Sequence, residues 1–295
     1  MTPLSVAVFA HNEAARIRAC LDSLAPAAPG RPLEVYVLAN GCTDRTEAVV
    51  ADYARRHPEV RLVSIGLGDK ANTWNVFVHE VAAPAAAHVF VDGDVQAGPR
   101  AIERLWAALA NDPHAHAAAA FPASGRSLER ARRAMLEDHA LAGNLYALRG
   151  EFVARVRSLG VRLPVGLVRE DGLVGALAKW DLDPRRPWDE RRVRPCPEAT
   201  FRFEPLSPLS PAHWRLQWRR QIRYAVGGFE NRMLAPLLKR EGLAGLPADT
   251  RALYARSTAP LTVGAGADTF FQLIALGRIR RRRAWAPALE RARRA

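Results

Sequence analysis

Residues 88–94 read His88-Val89-Phe90-Val91-Asp92-Gly93-Asp94, a short β-branched and aromatic run that stops in two carboxylates separated by glycine. An apolar run of this length, bounded by Asp and Gly, has the composition of a buried strand and its terminating turn. Three runs upstream repeat the pattern, at Ser5 to Phe9, Glu34 to Leu38 and Arg61 to Ile65. Helical periodicity lies between them. Ile17, Cys20, Leu21 and Leu24 recur at i, i+3, i+4 and i+7 after Asn12, a residue type suited to an N-cap. Val49, Val50 and Tyr53 follow Thr43 and Asp44, with Glu47 at capping-box spacing from Asp44, and a third helix is expected from Ala71 to Val81. The order βαβαβαβ by residue 91 predicts an α/β fold with a mostly parallel sheet flanked by helices.

Downstream the pattern weakens. It predicts a helix through Ile102 and Leu109, a strand at His116 to Phe121, a helix from Leu128, a short strand at Asn144 to Leu148, and helices at Gly150 to Ser158 and from Glu170. Prolines at 184, 187, 195, 197, 205, 208 and 211 mark an irregular stretch before a Trp- and Arg-rich helix from Ala212 to Val226. The expected organisation is one main domain over 1–225 and a basic helical appendage over 226–295.

At 295 residues and 49% hydrophobic composition, the chain has ample material for a core. Its net charge of +13 is segregated: residues 1–100 carry nine Lys/Arg against eleven Asp/Glu, whereas the last eighteen carry eight Arg against one Glu. Three scattered cysteines, Cys20, Cys42 and Cys196, argue against a disulfide framework or structural zinc and make a reducing cytoplasm the default. No basic region precedes the seven apolar residues of 4–10, so a secretory signal is not expected, and no apolar run reaches the ~18 residues of a membrane span.

In open α/β sheets, ligands bind beyond the carboxyl ends of the strands. Asp92 and Asp94 would stand there, as two hard oxygen donors suited to Mg²⁺ or Mn²⁺, with Gly93 allowing close approach. A plain strand-end turn uses the same residue types. His11-Asn12-Glu13 and Asn40-Gly41-Cys42-Thr43-Asp44 end two other strands at the same edge, where helix N-termini favour anions and Glu13 or Asn40 could bond a base or ribose. Lys70 could meet a phosphate or simply pair with an acid on the surface. Neither G-x-G-x-x-G after the first strand nor G-x-x-x-x-G-K-[ST] occurs, which disfavours dinucleotide-binding and P-loop chemistry.

The ordered series Phe9-Ala10-His11-Asn12-Glu13, Asn40 to Asp44, Lys70 with Asn75, Asp92-Gly93-Asp94, Asn144 to Arg149 and Glu170-Asp171 resembles the family 2 glycosyltransferases, GT-A-fold enzymes that use nucleotide-sugar donors. The resemblance spans about residues 4–225. It implies that residues 1–95 form a nucleotide-sugar-binding half and 96–225 an acceptor half, and that His11, Asn12, Glu13, Asn40, Asp44, Lys70 and Arg149 contact substrate. It further implies that Asp92, Gly93 and Asp94 meet ribose, diphosphate and a divalent metal (Mn²⁺ or Mg²⁺), and that Asp171, beside Glu170, is the general base of an inverting transfer to an acceptor hydroxyl in cell-surface polysaccharide, glycolipid or glycoconjugate synthesis. The sequence departs from the family where Ala39-Asn40 stands in place of the Asp-Asp or Asp-Asn common among relatives. Arg220-Gln221-Ile222-Arg223-Tyr224 is similar to a motif of processive relatives with Tyr for Trp, so Arg220 and Arg223 either bind diphosphate or form a solvated basic face.

Rival readings are a nucleic-acid-binding protein, from the charge and the aromatic residues among arginines at 214–224, and a sugar nucleotidyltransferase. An acidic first third and the lack of a known reading module weigh against the former, so no nucleic-acid partner is expected. The apolar stretch Thr269 to Gly277, followed by Arg278, Arg280 to Arg283 and Trp285, either packs on the main domain or docks the chain on the inner face of an anionic membrane, near a lipid-linked acceptor.

Overall fold

The computed structural model describes residues 3–124, 128–203, 211–266 and 268–294. Four parallel strands, β1 (Leu4–Ala10), β2 (Leu33–Asn40), β3 (Val60–Ile65) and β4 (Ala87–Asp92), alternate with α1 (Ile17–Ala27), α2 (Thr46–Ala54) and α3 (Lys70–Val76), the last continuing as a π-helical turn over Phe77–Val81. Then follow β5 (Val95–Ala97), α4 (Ala101–Ala110), β6 (Ala117–Pro122), α5 (Leu128–Glu137), β7 (Leu145–Arg149), α6 (Gly150–Ser158), α7 (Glu170–Lys179) and β8 (Val193–Phe203). The C-terminal third is helical: α8 (Pro211–Glu241), α9 (Thr250–Arg256) and α10 (Thr269–Arg294). The expected α/β fold is thus found. One eight-stranded sheet has the order β3-β2-β1-β4-β7-β6-β8-β5, with β7 antiparallel to both neighbours and β5 antiparallel to β8.

Strand alternation feeds two cores. Leu4, Val6, Val8 and Ala10 of β1 pack with Ile17, Leu21, Val50 and Ile102 on one face, while Ala7 and Phe9 join Trp74, Phe77, Phe90 and Phe152 on the other. Burial of both faces explains the near-continuous apolar runs of the sequence. The second core also takes in Leu173 of α7, Phe229 and Met233 of α8, Leu253 of α9 and Leu276 of α10, so the C-terminal helices complete it. The border expected at 225 falls inside α8, which runs unbroken from Pro211 to Glu241.

Two strands escape the sequence reading. β5 has only three residues, and β8 lies in the proline-marked stretch read as irregular. β8 accommodates its prolines through a register shift: Ala120 pairs with Cys196 but Phe121 with Thr200, leaving Pro197 to Ala199 as a bulge. The stretches 122–143 and 180–211, within the expected acceptor half, lie partly outside the described residues, as do the side chains of Arg283 and Trp285.

Candidate active site

Register brings the strand ends together: Ala10 pairs with Ala39, Phe9 with Asp92 and Val91 with Leu145, so the turns after β1, β2 and β4 and the residue before β7 share one edge. Asn12 does not cap α1, which begins at Ile17. It adopts a left-handed φ of 57°, and its Oδ1 accepts from the amides of Thr43 (2.8 Å) and Asp44 (3.2 Å), joining the first two turns. His11 Nδ1 lies 2.5 Å from the Asn40 carbonyl. Asp44 accepts from the Thr46 amide and hydroxyl and the Ala14 amide. Burial pushes its pKa up, but these donors outweigh it and hold the carboxyl below its ordinary value. The expected capping box does not form, because Glu47 bonds the Ser64 hydroxyl instead. Asn40 is buried, and its Oδ1 accepts from the Asp69 amide at 2.7 Å, so its side chain organises the next turn.

Asp69, unremarked in the sequence reading except as a neighbour of Lys70, caps α3 through the Asn72 amide (2.7 Å) and with its other oxygen receives the Gly166 amide (2.9 Å). It thereby ties α3 to the segment leading into α7. Lys70 turns away from Asp69: its Nζ lies 2.6 Å from Asp92 Oδ1 and 3.0 Å from Glu170 Oε1, and donates to the Gly143 carbonyl at 3.1 Å. Burial alone would lower its pKa, but Asp92 and Glu170 outweigh that and keep the ammonium protonated well above the usual range.

Asp92 is lifted to about 6 by burial, against the pull of Lys70 and with a further push from Asp94 and Glu170. Its Oδ2 accepts from Asn144 Nδ2 at 3.2 Å. Gly93 passes under β1, donating to the Phe9 carbonyl at 2.8 Å; a Cβ there would stand 3.0 Å from that oxygen. Glu13, paired with Arg16 at 2.7 Å, is raised to about 7 by burial first and then by the charge of Asp94. Among the described residues, the Asp94 carboxylate has no hydrogen bond or ion pair.

Across the edge, α7 begins with buried Glu170 and with Asp171, whose Oδ2 accepts from the Gly143 amide (3.1 Å) and whose Oδ1 accepts from the Gly172 amide (2.9 Å). A groove of about 880 Å³ runs between α7 and α8 from Gly172 to Trp180 and Trp188, floored by Leu173, Leu234 and Leu238. Arg220 and Arg223 share the α8 face of Gly227, across which the stem of Arg169, the residue before Glu170, is laid. No carboxylate pairs with any of these three arginines among the described residues.

Arg149 does not join the site. It pairs with Ala87 at the start of β4, roughly 16 Å along the strand from Asp92. Its guanidinium bonds the carbonyls of Leu109, Ala115 and Asp112, tying β7 to the end of α4. An arginine at a strand end reads alike at either edge; only the antiparallel direction of β7 decides which. Asn144, at the other end of the same segment, is the residue that reaches Asp92.

Five carboxylates, Glu13, Asp92, Asp94, Glu170 and Asp171, therefore gather at one sheet edge around the single ammonium of Lys70 and the guanidinium of Arg16. Such an excess of negative charge, on partly buried side chains, fits a cation. Among the described residues, no three His, Cys, Asp or Glu side chains converge into a ready-made cage.

A mixed sheet of this order, with its acids at the ends of parallel strands, is that of GT-A nucleotide-sugar enzymes. Residues 5–165, more than half of the chain, match the sequence profile of Glycosyl transferase family 2, and the chain belongs to that family. No curated protein sequence matches it. Among solved structures, it is similar to the mannosyltransferase PcManGT from Pyrobaculum calidifontis in complex with GDP-Man and Mn²⁺ (TM-score 0.59, 23% identity, 97% of this chain and 83% of that one). It is also similar to glucosyl-3-phosphoglycerate synthase from Mycobacterium tuberculosis in complex with Mn²⁺, UDP and glucosyl-3-phosphoglycerate (TM-score 0.54, 21% identity, 76% and 78% covered). The latter enzyme has also been solved with Mg²⁺ and UDP (TM-score 0.51, 22% identity, 75% and 79% covered).

Proposed function

We propose that this glycosyltransferase is metal-dependent and inverting, moving a sugar from a nucleotide-sugar to an acceptor hydroxyl in the synthesis of a cell-surface polysaccharide, glycolipid or glycoconjugate. The observation that carries the reading is the excess of carboxylates at the ends of β1 and β4 and the start of α7, with no hydrogen bond or ion pair to the Asp94 carboxylate among the described residues. Asp94 and Asp92 would hold the Mn²⁺ or Mg²⁺, which when bound offsets the charge of the departing diphosphate. His11, Asn12, Glu13, Asn40 and Asp44 frame the nucleoside side, and Arg220 and Arg223 lie on the helix face nearest the start of α7, able to meet a phosphate.

Asp171 is the general base. Its carboxylate is fixed by two backbone amides, which leaves lone pairs for the acceptor proton. As the acceptor oxygen bonds to the anomeric carbon, the bond from that carbon to the diphosphate oxygen breaks, the proton passes to Asp171 and the nucleoside diphosphate leaves. A single displacement inverts the anomeric centre. Lys70 holds Glu170 and Asp92 beside one another so that their charges do not spring the site apart. Three sparse cysteines, all free, favour a reducing compartment such as the cytoplasm.

A thermal-unfolding panel of GDP- and UDP-sugars with and without Mn²⁺ tests the reading. A donor at 100 times its Kd stabilises the fold by about 2.7 kcal/mol, and the expected shift requires the metal. Absence of any donor-dependent shift, together with no metal-dependent release of nucleoside diphosphate, overturns it.

A further inference from the structure

Among the described residues, six of the ten exposed large hydrophobic side chains sit on two C-terminal helices: Trp214, Leu216, Trp218 and Tyr224 on α8, Phe270 and Leu273 on α10. The structure divides the apolar stretch that opens α10. Phe271 and Ile274 lean on the core and Ala275 and Leu276 are buried in it, while Phe270 and Leu273 face outward, 53% and 55% exposed. Trp218, 49% exposed, packs edge-on against Phe270 (ring centroids 5.4 Å apart) and Phe271 (5.1 Å), so residues fifty positions apart form one aromatic cluster. Every residue from Trp214 to Arg219 is exposed, so this part of α8 stands proud of the body.

The charge around the cluster is almost all positive, the exposed Asp268 just before α10 being the exception. Between Pro211 and Phe229 α8 carries no acid, and α10 carries none before Glu290. Arg215, Arg219, Arg278, Arg280 and Arg281 are exposed, and none pairs with a carboxylate among the described residues. We propose that the exposed apolar patch of Trp218, Phe270 and Leu273, with the flanking arginines of α8 and α10, is a docking surface for an anionic lipid bilayer.

Apolar and indole side chains enter the acyl boundary while arginines meet lipid phosphates, and the two together give the binding that neither gives alone. The rings argue against nucleic acid as the occupant. Trp218, Phe270 and Phe271 meet at interplanar angles of 60°, 74° and 83°, interlocked edge to face, whereas bases stack on open ring faces. A protein partner would need matched hydrogen bonds and acids of its own, but a bilayer needs only apolar depth and negative charge. This surface goes beyond the transfer reading and does not depend on it, since vesicle binding is measured without donor or acceptor.

The full chain is sedimented with vesicles of phosphatidylcholine alone and of phosphatidylcholine with phosphatidylglycerol, at low and high salt. Binding is expected to the anionic vesicles only and to weaken with salt. Phe270→Ala with Leu273→Ala, and separately Arg215→Glu with Arg219→Glu, each lower the partition coefficient by about tenfold or more; all four residues are exposed, so the charge-reversed pair tests the surface even if the apolar pair loosens α10. Equal binding to neutral vesicles, no binding to either, or wild-type binding by both variants overturns the proposal. So does concentration-dependent self-association without vesicles that Phe270→Ala with Leu273→Ala abolishes, which would make the surface a contact between copies.

Discussion

The ammonium of Lys70 lies 2.6 Å from the carboxylate of Asp92, and 3.0 Å on its other side stands Glu170. One cation from the start of α3 thus joins the end of β4 to the start of α7, which carries Glu170 and Asp171. Removing it leaves two partly or wholly buried carboxylates facing each other. Lys70→Met is expected to cost roughly 2–4 kcal/mol of folding stability, because an uncompensated buried charge is worse than no pair at all, while Lys70→Arg keeps most of that stability. Urea unfolding of the two variants checks this; an unchanged midpoint in Lys70→Met would show that the acids are neutralised some other way.

Asp94 presents the opposite case. Its carboxylate supports no hydrogen bond or ion pair among the described residues, and its charge is one of the causes lifting Glu13 and Asp92. Asp94→Ala should therefore leave metal-free stability within about 0.5 kcal/mol of the parent or slightly above it. It should also remove the stabilisation by Mn²⁺ and the metal-dependent transfer. Thermal unfolding across an Mn²⁺ titration reads both effects, and an Mn²⁺ shift that survives in the variant argues against Asp94 as a ligand.

Much of this site is legible in the sequence because parallel strands deliver their carboxyl ends to one edge, so apolar runs ending in His11-Asn12-Glu13, Asn40 and Asp92-Gly93-Asp94 had to converge. Local pattern carries no strand direction, which is why Arg149 was expected at the wrong end of β7 and Asn144 at no particular place. Capping was misjudged for a related reason. Asn12 and Glu47 are sound capping residues locally, yet each bonds across to another turn or strand. Asp69, whose cap on α3 is local but whose second bond reaches Gly166, is visible in only half of its role. Glu230 is invisible altogether: it is a buried acid in the middle of a long helix, accepting from the Val168 amide (2.9 Å) and the Tyr254 hydroxyl (2.6 Å) to anchor the segment that enters α7.

Glu13 makes folding stability depend on pH. Its carboxyl is at about 7 in the folded chain against an ordinary value of 4.5, so the folded state holds the proton more tightly than the unfolded one. The favourable contribution is complete below pH 4.5 and is lost as pH rises through 7, above which the ionised form destabilises the fold. Glu13→Gln removes the cost, so the metal-free variant should be more stable than the parent at pH 8 and equal to it at pH 4. Equal stability at both pH values would show that Glu13 ionises freely in the fold.

Asp171 and Gly143 together allow the base to be separated from the donor site. Asp171→Asn preserves an oxygen to accept one amide but cannot take a proton, so kcat should fall about 10²–10⁴-fold while donor affinity is unchanged. Gly143 reaches the same carboxylate from outside: a Cβ on it would stand 3.0 Å from Asp171 Oδ2 and 3.2 Å from Asp171 Cγ, tight enough to push the group by a few tenths of an ångström. Gly143→Ala keeps the acid and its proton affinity but misplaces it, and positioning errors of that size carry a cost in rate. Its kcat should drop about tenfold with donor binding intact, and adding Asp171→Asn to it should cost far less than in the parent, because the two substitutions damage one function. Donor Kd from titration and kcat from steady-state transfer separate the outcomes. If Gly143→Ala weakens donor binding with normal turnover at saturation, the 143–144 turn belongs to the donor pocket and Asp171 is not acting as the base through it.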